Sequence, residues 1–226
     1  MTAIGAVVFD LDGTLVDSRL DIARAVGATL RAYGRPELEL EKVVGFVGDG
    51  SPLLVARVFD LPLDSPELGP YLQTFLDCYR AHPTDATTLM PGVPQVLGEL
   101  GPLPLGVCTN KPRPITDLVL ENLDLARRFA SVVAGGDTPH PKPHPAPLLR
   151  AAAGLGVEPS SLVVVGDGPQ DVECGRAVGA RTVGLEGGFL PLERLLASKP
   201  DALLDSLAEL PALIRSWNSY GMRGAR

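Results

Sequence analysis

Residues 7 to 15 read Val7-Val8-Phe9-Asp10-Leu11-Asp12-Gly13-Thr14-Leu15, and the fold turns on this stretch. An apolar run meets two carboxylates at i and i+2, then a glycine and a threonine. The run is too short for a helix between its flanking signals and reads as a buried strand. Residues two apart in an extended chain point to the same side. Asp10 and Asp12 therefore leave the strand's carboxyl end facing one crevice. Two acids there cost desolvation and mutual repulsion unless a cation or a proton resolves them. Asp-Gly also commonly ends a strand in a plain turn, so the rest of the chain must decide.

After Ser18 the period changes. Ile22, Val26, Leu30 and Tyr33 recur at helical spacing, with Ala23 and Gly27 on the same face. Ser18 is a plausible cap for this helix, and Gly34-Arg35-Pro36 closes it. Further helical pieces are predicted at Glu39–Val44, Pro52–Phe59 and Glu67–Ala81, with no strand pattern between Asp17 and Thr88. In their midst lies Gly45-Phe46-Val47-Gly48-Asp49-Gly50-Ser51. It is either a plain helix–helix connection or a loop that folds over a ligand with its backbone N–H groups exposed. The Gly-Lys-Ser/Thr ending of a phosphate loop is missing.

From Leu89 onward apolar strands alternate with helices. Strands are predicted at Leu105–Cys108, Ser131–Ala134, Leu162–Val165, Arg181–Leu185 and Asp201–Leu204. Helices are predicted at Pro94–Leu100, Ile115–Leu123, Pro145–Gly154, Val172–Val178 and around Leu207–Arg215, the last open to interruption at Pro211; the tail Asn218–Arg226 reads as frayed. This alternation predicts an α/β fold, a doubly wound parallel sheet with a helical insertion. The expected division is a core of residues 1–17 and 89–226 with a helical unit at 18–88.

The bulk composition narrows the function. Of 226 residues, 45% are hydrophobic and 21% charged, an ordinary globular balance. A net charge of −7 argues against a nucleic-acid partner and an anionic membrane surface. It leaves an anionic substrate open, because a local cation inverts the field of a site. Cys78, Cys108 and Cys174 lie far apart without metal spacing, which suits reduced thiols in a cytoplasmic protein. The opening Met-Thr-Ala-Ile-Gly has no basic region typical of a signal peptide. No apolar run approaches the ~18 residues of a membrane span. A monomer or homodimer is expected.

Ligands of open parallel sheets bind at the carboxyl ends of strands. The first strand supplies Asp10 and Asp12 there; the Leu105 strand supplies Thr109 and Asn110; the Leu162 strand supplies Asp167, with Asp171 four residues on. Lys142 follows the Ser131 strand within His140-Pro141-Lys142-Pro143-His144-Pro145, on a stiff, proline-flanked backbone. A lone loop lysine is ordinarily solvated, Asp167 alone could cap a helix, and Thr109 alone could serve a turn. Carboxylates, a hydroxyl and a lysine at four strand ends together point to one polar site.

In combination these residues resemble the haloacid dehalogenase superfamily of phosphotransferases. Its four motifs, D-x-D-x-T, a strand-end Ser/Thr, a Lys and G-D-x-x-x-D, are matched in order by Asp10/Asp12/Thr14, Thr109, Lys142 and Gly166-Asp167/Asp171. The resemblance runs from Ala6 to about Leu213, and the helical unit resembles the family's small cap. Within the superfamily, Val44–Gly50, Thr109–Pro112, Gly135–Asp137 and Lys142–Pro145 are most similar to the phosphoglycolate phosphatases. One departure is Gly168, where the family often carries a serine.

The resemblance implies a small-molecule phosphate ester as substrate and Mg²⁺ as cofactor. Asp10 would attack phosphorus and form an aspartyl-phosphate, and Asp12 would protonate the leaving oxygen and then activate water. Mg²⁺ would take Asp10, the Asp12 carbonyl and Asp167, with Asp171 ordering its surroundings. Lys142, Thr109 and Asn110 would hold the phosphoryl oxygens. Gly48, Asp49 and Gly50 would meet the leaving group, and loop N–H groups would bind a carboxylate as small as that of 2-phosphoglycolate. Other small phosphate esters, sugar phosphates, nucleotides, pyrophosphate and a phosphomutase reaction stay open as alternatives. A phospho-acceptor signalling module shares the acids, hydroxyl and lysine, but places its acceptor in a middle strand and lacks the insertion.

Overall fold

A computed structural model gives the fold and describes residues 3–223. The chain's first two residues and the last three of the expected frayed tail lie outside the described residues.

The first strand, β1 (Ala6–Phe9), is followed by a two-residue strand, β2 (Val16–Asp17). Four helices come next: α1 (Arg19–Ala32), α2 (Leu40–Val44), α3 (Ser51–Phe59) and α4 (Leu68–Ala81). The chain returns through β3 (Thr88–Leu89), which pairs antiparallel with β2. This ribbon, two residues on each side, is too short to leave an alternation in the sequence. The buried carboxylate of Asp21 on α1 fastens the returning segment. It accepts N–H bonds from Ala86 and Thr87 at 2.8 and 2.7 Å and the Thr87 hydroxyl at 2.7 Å. Ser18 precedes α1, but its hydroxyl does not cap the helix; it donates to Asp12 Oδ1 at 2.5 Å.

The rest alternates as predicted. In order come α5 (Val93–Glu99), β4 (Leu105–Pro112), α6 (Arg113–Asn122), β5 (Ser131–Gly135), α7 (Ala146–Leu155), β6 (Leu162–Gly166), α8 (Pro169–Ala177), β7 (Arg181–Leu185), α9 (Leu192–Ala197), β8 (Ala202–Leu204) and α10 (Leu210–Arg223). Three details differ from expectation. Strand β4 runs on to Pro112, so Thr109 and Asn110 lie within it rather than beyond its end. Helix α9, six residues long, carried no readable period. Pro211 sits in the first turn of α10, where it lacks no needed N–H bond. The helix therefore runs on through Asn218 to Arg223 instead of fraying there.

Six strands form one parallel sheet in the order β5-β4-β1-β6-β7-β8. The two-residue alternation of the strands splits their side chains between two cores. Val7, Phe9, Val163 and Val165 enter one, and Ala6, Val8, Leu162 and Val164 the other. The second core is closed by Leu148, Ala151 and Ala152 of α7 and Cys174 of α8. Ile115 and Val119 of α6 pack in the first, with Leu210 and Ile214 of α10. β1 lies centrally, with β4 on one side and β6 on the other, at the point where the strand order reverses. That point is where open α/β sheets bind ligands. Among the described residues, no helix is long and apolar enough to cross a membrane.

Candidate active site

β1 ends with Asp10 N–H bonded to Val165 O at 2.9 Å, which pins Asp10 between the ends of β4 and β6. Gly13 then turns the chain with φ +81°. A Cβ there would lie 2.3 Å from Asp167 Oδ2, so both the turn and the approach of Asp167 require glycine. The Thr14 hydroxyl is buried and has no hydrogen-bond partner among the described residues.

Lys142 is not a solvated loop lysine, being only 2% exposed. Its ammonium donates to Asp10 Oδ1 at 2.8 Å, Cys108 O at 2.7 Å and Asp171 Oδ1 at 2.6 Å. Three donors thus meet three acceptors. Burial opposes the charge, but the flanking carboxylates of Asp10 and Asp171 hold this lysine protonated well above its usual range. Asn110 fixes the lysine's backbone: its Oδ1 accepts Lys142 N–H at 2.9 Å and its Nδ2 donates to Lys142 O at 3.0 Å. The same Nδ2 donates to Gly48 O at 3.0 Å. The Asn110 amide is therefore occupied in joining Lys142 to the Gly48 loop.

Thr109 Oγ1 accepts the Lys111 N–H at 3.2 Å, which orients it and leaves its O–H to donate. Asp167 is not a helix cap; Oδ2 accepts the Phe189 N–H at 2.7 Å. Burial and the charges of Asp10 and Asp171 push the Asp167 carboxyl well above the ordinary carboxylate range. Asp171 has both oxygens engaged, Oδ1 by Lys142 and Oδ2 by Gly168 N–H at 3.2 Å. A Cβ at Gly168 would lie 2.2 Å from Gln170 Nε2, so the buried Gln170 amide fills the space of the family's serine.

The structure also brings in residues the sequence did not single out. Lys111 is buried and donates to both Asp12 oxygens, at 2.8 and 3.1 Å, and to the Tyr79 hydroxyl of α4. Burial raises the Tyr79 hydroxyl to about 12. Burial opposes the Lys111 charge too, but Asp12 and Tyr79 beside it together outweigh it and the ammonium stays protonated. With the Ser18 hydroxyl, these groups surround the Asp12 carboxylate. The clue available was that the chain has only four lysines and that Lys111 directly follows Thr109-Asn110.

Asp10, Asp12, Thr109, Lys111 and Asp167 line one cleft with Gly48, Gly50 and Ser51. The Asp49 carboxylate turns instead to Arg57, 2.7 Å away. The Gly48 loop is thus a helix–helix connection that also faces the cleft. The cleft is small, with a cavity volume of about 40 Å³, against about 650 Å³ for a mostly apolar groove between the 135–143 segment and the helices α3 and α4. His82, His140 and His144 are absent from its lining. His144 Nδ1 accepts the Ala146 N–H at 3.1 Å, at the start of α7.

Ligand atoms of Asp10, Asp167 and Asp171 lie within 4.8 Å of one another, all buried. Lys142 is the one ammonium that contacts this triad among the described residues. With Oδ1 of Asp10 and Oδ2 of Asp167 engaged, Asp10 Oδ2 and Asp167 Oδ1 have no hydrogen bond from another residue among those described. An excess of buried, acceptor-only oxygens fits a hard divalent cation that keeps part of its water.

Comparisons with known proteins bear on this geometry. The family model for haloacid dehalogenase-like hydrolases matches residues 7–185. The phosphoglycolate phosphatases of Salmonella typhimurium and Escherichia coli are each 36% identical, over 93% of this chain and 92% of theirs. The crystal structure of a predicted phosphoglycolate phosphatase from Haemophilus somnus superposes with a TM-score of 0.86 at 28% identity, covering 94% of this chain and 99% of that one.

Proposed function

The chain belongs to the haloacid dehalogenase-like hydrolases, and from that premise we propose that it is a Mg²⁺-dependent phosphatase that cleaves 2-phosphoglycolate to glycolate and phosphate. The observation that carries the reading is the buried constellation at the ends of β1, β4 and β6. Asp10 is flanked there by Lys142 and by the Asp167–Asp171 pair, with the Thr109 hydroxyl on the same cleft. The 36% identity to curated phosphoglycolate phosphatases over almost the whole chain supports the substrate. So does the small size of the cleft, which suits a short ester better than a nucleotide or a sugar phosphate.

In this reading one oxygen of the Asp10 carboxylate attacks phosphorus and forms the aspartyl-phosphate as the bond to the ester oxygen breaks. Lys142 offsets charge on Asp10 and the phosphoryl group, and the Thr109 O–H donates to a phosphoryl oxygen. Asp12 carries the proton to the leaving oxygen and then takes one from the attacking water. Its Oδ1 is held by Ser18 and Lys111, so Oδ2, with its single longer contact of 3.1 Å, is the oxygen left to carry that proton. Asp10, the Asp12 carbonyl and Asp167 would hold Mg²⁺, with Asp171 fixing the surroundings. When bound, the ion neutralises phosphoryl charge. Residues 18–88 act as a cap over a core of 1–17 and 89–226, excluding water and facing the leaving group.

The test is phosphate release with MgCl₂ over 2-phosphoglycolate, sugar phosphates, nucleotides and pyrophosphate. 2-Phosphoglycolate is expected to give the highest kcat/KM. A preference for another ester would replace the substrate, and return of the phosphate to an organic product would make the enzyme a mutase.

A further inference from the structure

We propose that Lys111 reads the leaving group: its ammonium binds the carboxylate of the alcohol portion and so selects esters with a short anionic leaving group. The inference rests on the substrate reading above and assigns the recognition of that carboxylate to one side chain.

The role of Lys142 accounts for all three of its donors. Lys111 is a second buried ammonium and lines the cleft, and neither charge compensation at phosphorus nor nucleophilic attack uses it. Its three acceptors among the described residues are Asp12 Oδ1, Asp12 Oδ2 and the Tyr79 hydroxyl, and the Asp12 Oδ2 contact, at 3.1 Å, is the longer of the two to Asp12. Once that oxygen carries the proton for the leaving group it gives up the bond, which frees one N–H for a substrate oxygen. Position supplies the next step. Asp12 serves the ester oxygen, and Lys111 Nζ stands 2.8 Å from Asp12 Oδ1. In a two-carbon leaving group the carboxyl carbon lies two bonds beyond that oxygen, at roughly 1.5 Å per bond. The carboxylate therefore falls among the groups that surround Asp12, and Lys111 is the cation among them.

Charge argues the same way. The substrate brings a phosphate and a carboxylate into a cleft that already holds Asp10, Asp12 and Asp167. Ile22, Val47, Leu54 and Phe75 supply much of the remaining wall and offer no side-chain donor. A carboxylate left against them would be desolvated without a partner. Beside a buried ammonium it gains a charged hydrogen bond in a region of low dielectric. Gly50 and Ser51 at the start of α3 also line the cleft.

The test compares 2-phosphoglycolate with 2-hydroxyethyl phosphate, which keeps the phosphate and ester oxygen but replaces the carboxylate by a neutral hydroxymethyl group. Wild type, Lys111→Met and Lys111→Arg are assayed as Mg²⁺-loaded enzymes. Loss of one charged hydrogen bond predicts that the ratio of kcat/KM values, phosphoglycolate over hydroxyethyl phosphate, falls on the order of 10–100-fold in Lys111→Met. The loss should lie mainly in KM for phosphoglycolate, and Lys111→Arg should restore part of the ratio. A ratio equal to that of wild type in Lys111→Met, with both esters slowed alike, would show that Lys111 only orients Asp12 and would overturn the proposal.

A second measurement does not depend on the variant folding. In wild type, 3-phosphonopropionate should inhibit at least about tenfold more tightly than propylphosphonate; equal inhibition would also overturn the proposal. If wild type ignores phosphoglycolate but cleaves another ester, the substrate reading fails and takes this inference with it. If wild type prefers phosphoglycolate and the ratio survives in Lys111→Met, the inference alone fails.

Discussion

Lys142 Nζ stands 2.8 Å from Asp10 Oδ1, although 132 positions separate the two residues in the chain. The same ammonium reaches Asp171 at 2.6 Å, so one buried cation holds together acids from the end of β1 and the first turn of α8. Removing one partner of a buried ion pair costs about 3–5 kcal/mol, because the other charge is left uncompensated. Lys142→Met is expected to lower stability by that order and to slow phosphate release at least ~10²-fold. Thermal unfolding together with a turnover assay checks both. An unchanged melting temperature would remove Lys142 from its central place.

The Asn110 amide ties the backbone of Lys142 to Gly48 O. Asn110→Ala frees the buried Lys142 N–H and carbonyl, at about 1–3 kcal/mol for an unsatisfied group. The expected result is a lower kcat through a misplaced Lys142, with a measurable loss of stability. A variant with a higher KM and an unchanged kcat would assign Asn110 to the substrate instead.

Asp21 binds three donors of the returning segment and is buried. Asp21→Ala leaves those donors unpaired, whereas Asp21→Asn keeps one oxygen acceptor. The alanine variant should therefore melt lower than the asparagine variant, by roughly 2–4 °C for each kcal/mol lost in a protein of this size. Differential scanning calorimetry decides the order.

The buried Asp167 carboxyl has its pKa raised in the folded protein. Above the unfolded value near ~3.9, the folded state then holds a proton that the unfolded chain has lost. Stability without metal accordingly falls as pH rises through that value toward the folded one. A divalent cation takes the place of the proton, and its binding releases one. Added MgCl₂ should raise the melting temperature more at about pH 7.5 than at about pH 5. Equal gains at both pH values would argue against a carboxylate metal site.

Much of this was legible in the chain because its signals are local. The alternation of Ala6–Phe9 and Leu162–Val165 sends successive side chains to opposite faces, and the two cores follow it. Asp10 and Asp167 directly follow β1 and β6, Thr109 lies in the second half of β4, Asp171 opens α8 and Lys142 stands in the segment after β5, so the parallel topology brings all five to one edge of the sheet. The partners of Asp12 were hidden for the opposite reason. Tyr79 comes from α4 and Lys111 from the end of β4, and only the packing of the helical insertion on the sheet brings them to one carboxylate. The Asn110 amide reads as a free donor in the sequence, and its engagement by Lys142 and Gly48 depends on two separate loops meeting. The Phe189 N–H that holds Asp167 arrives on a loop with no periodic signal.

As the proposed nucleophile of a phosphoglycolate phosphatase, Asp10 is the residue without which no turnover is expected. The most direct measurement is inorganic phosphate released from 2-phosphoglycolate with MgCl₂, for wild type and for Asp10→Asn. The predicted result is turnover by wild type and none above background for Asp10→Asn, with circular dichroism spectra that match. Full activity in Asp10→Asn, or in wild type with excess chelator, would contradict the account.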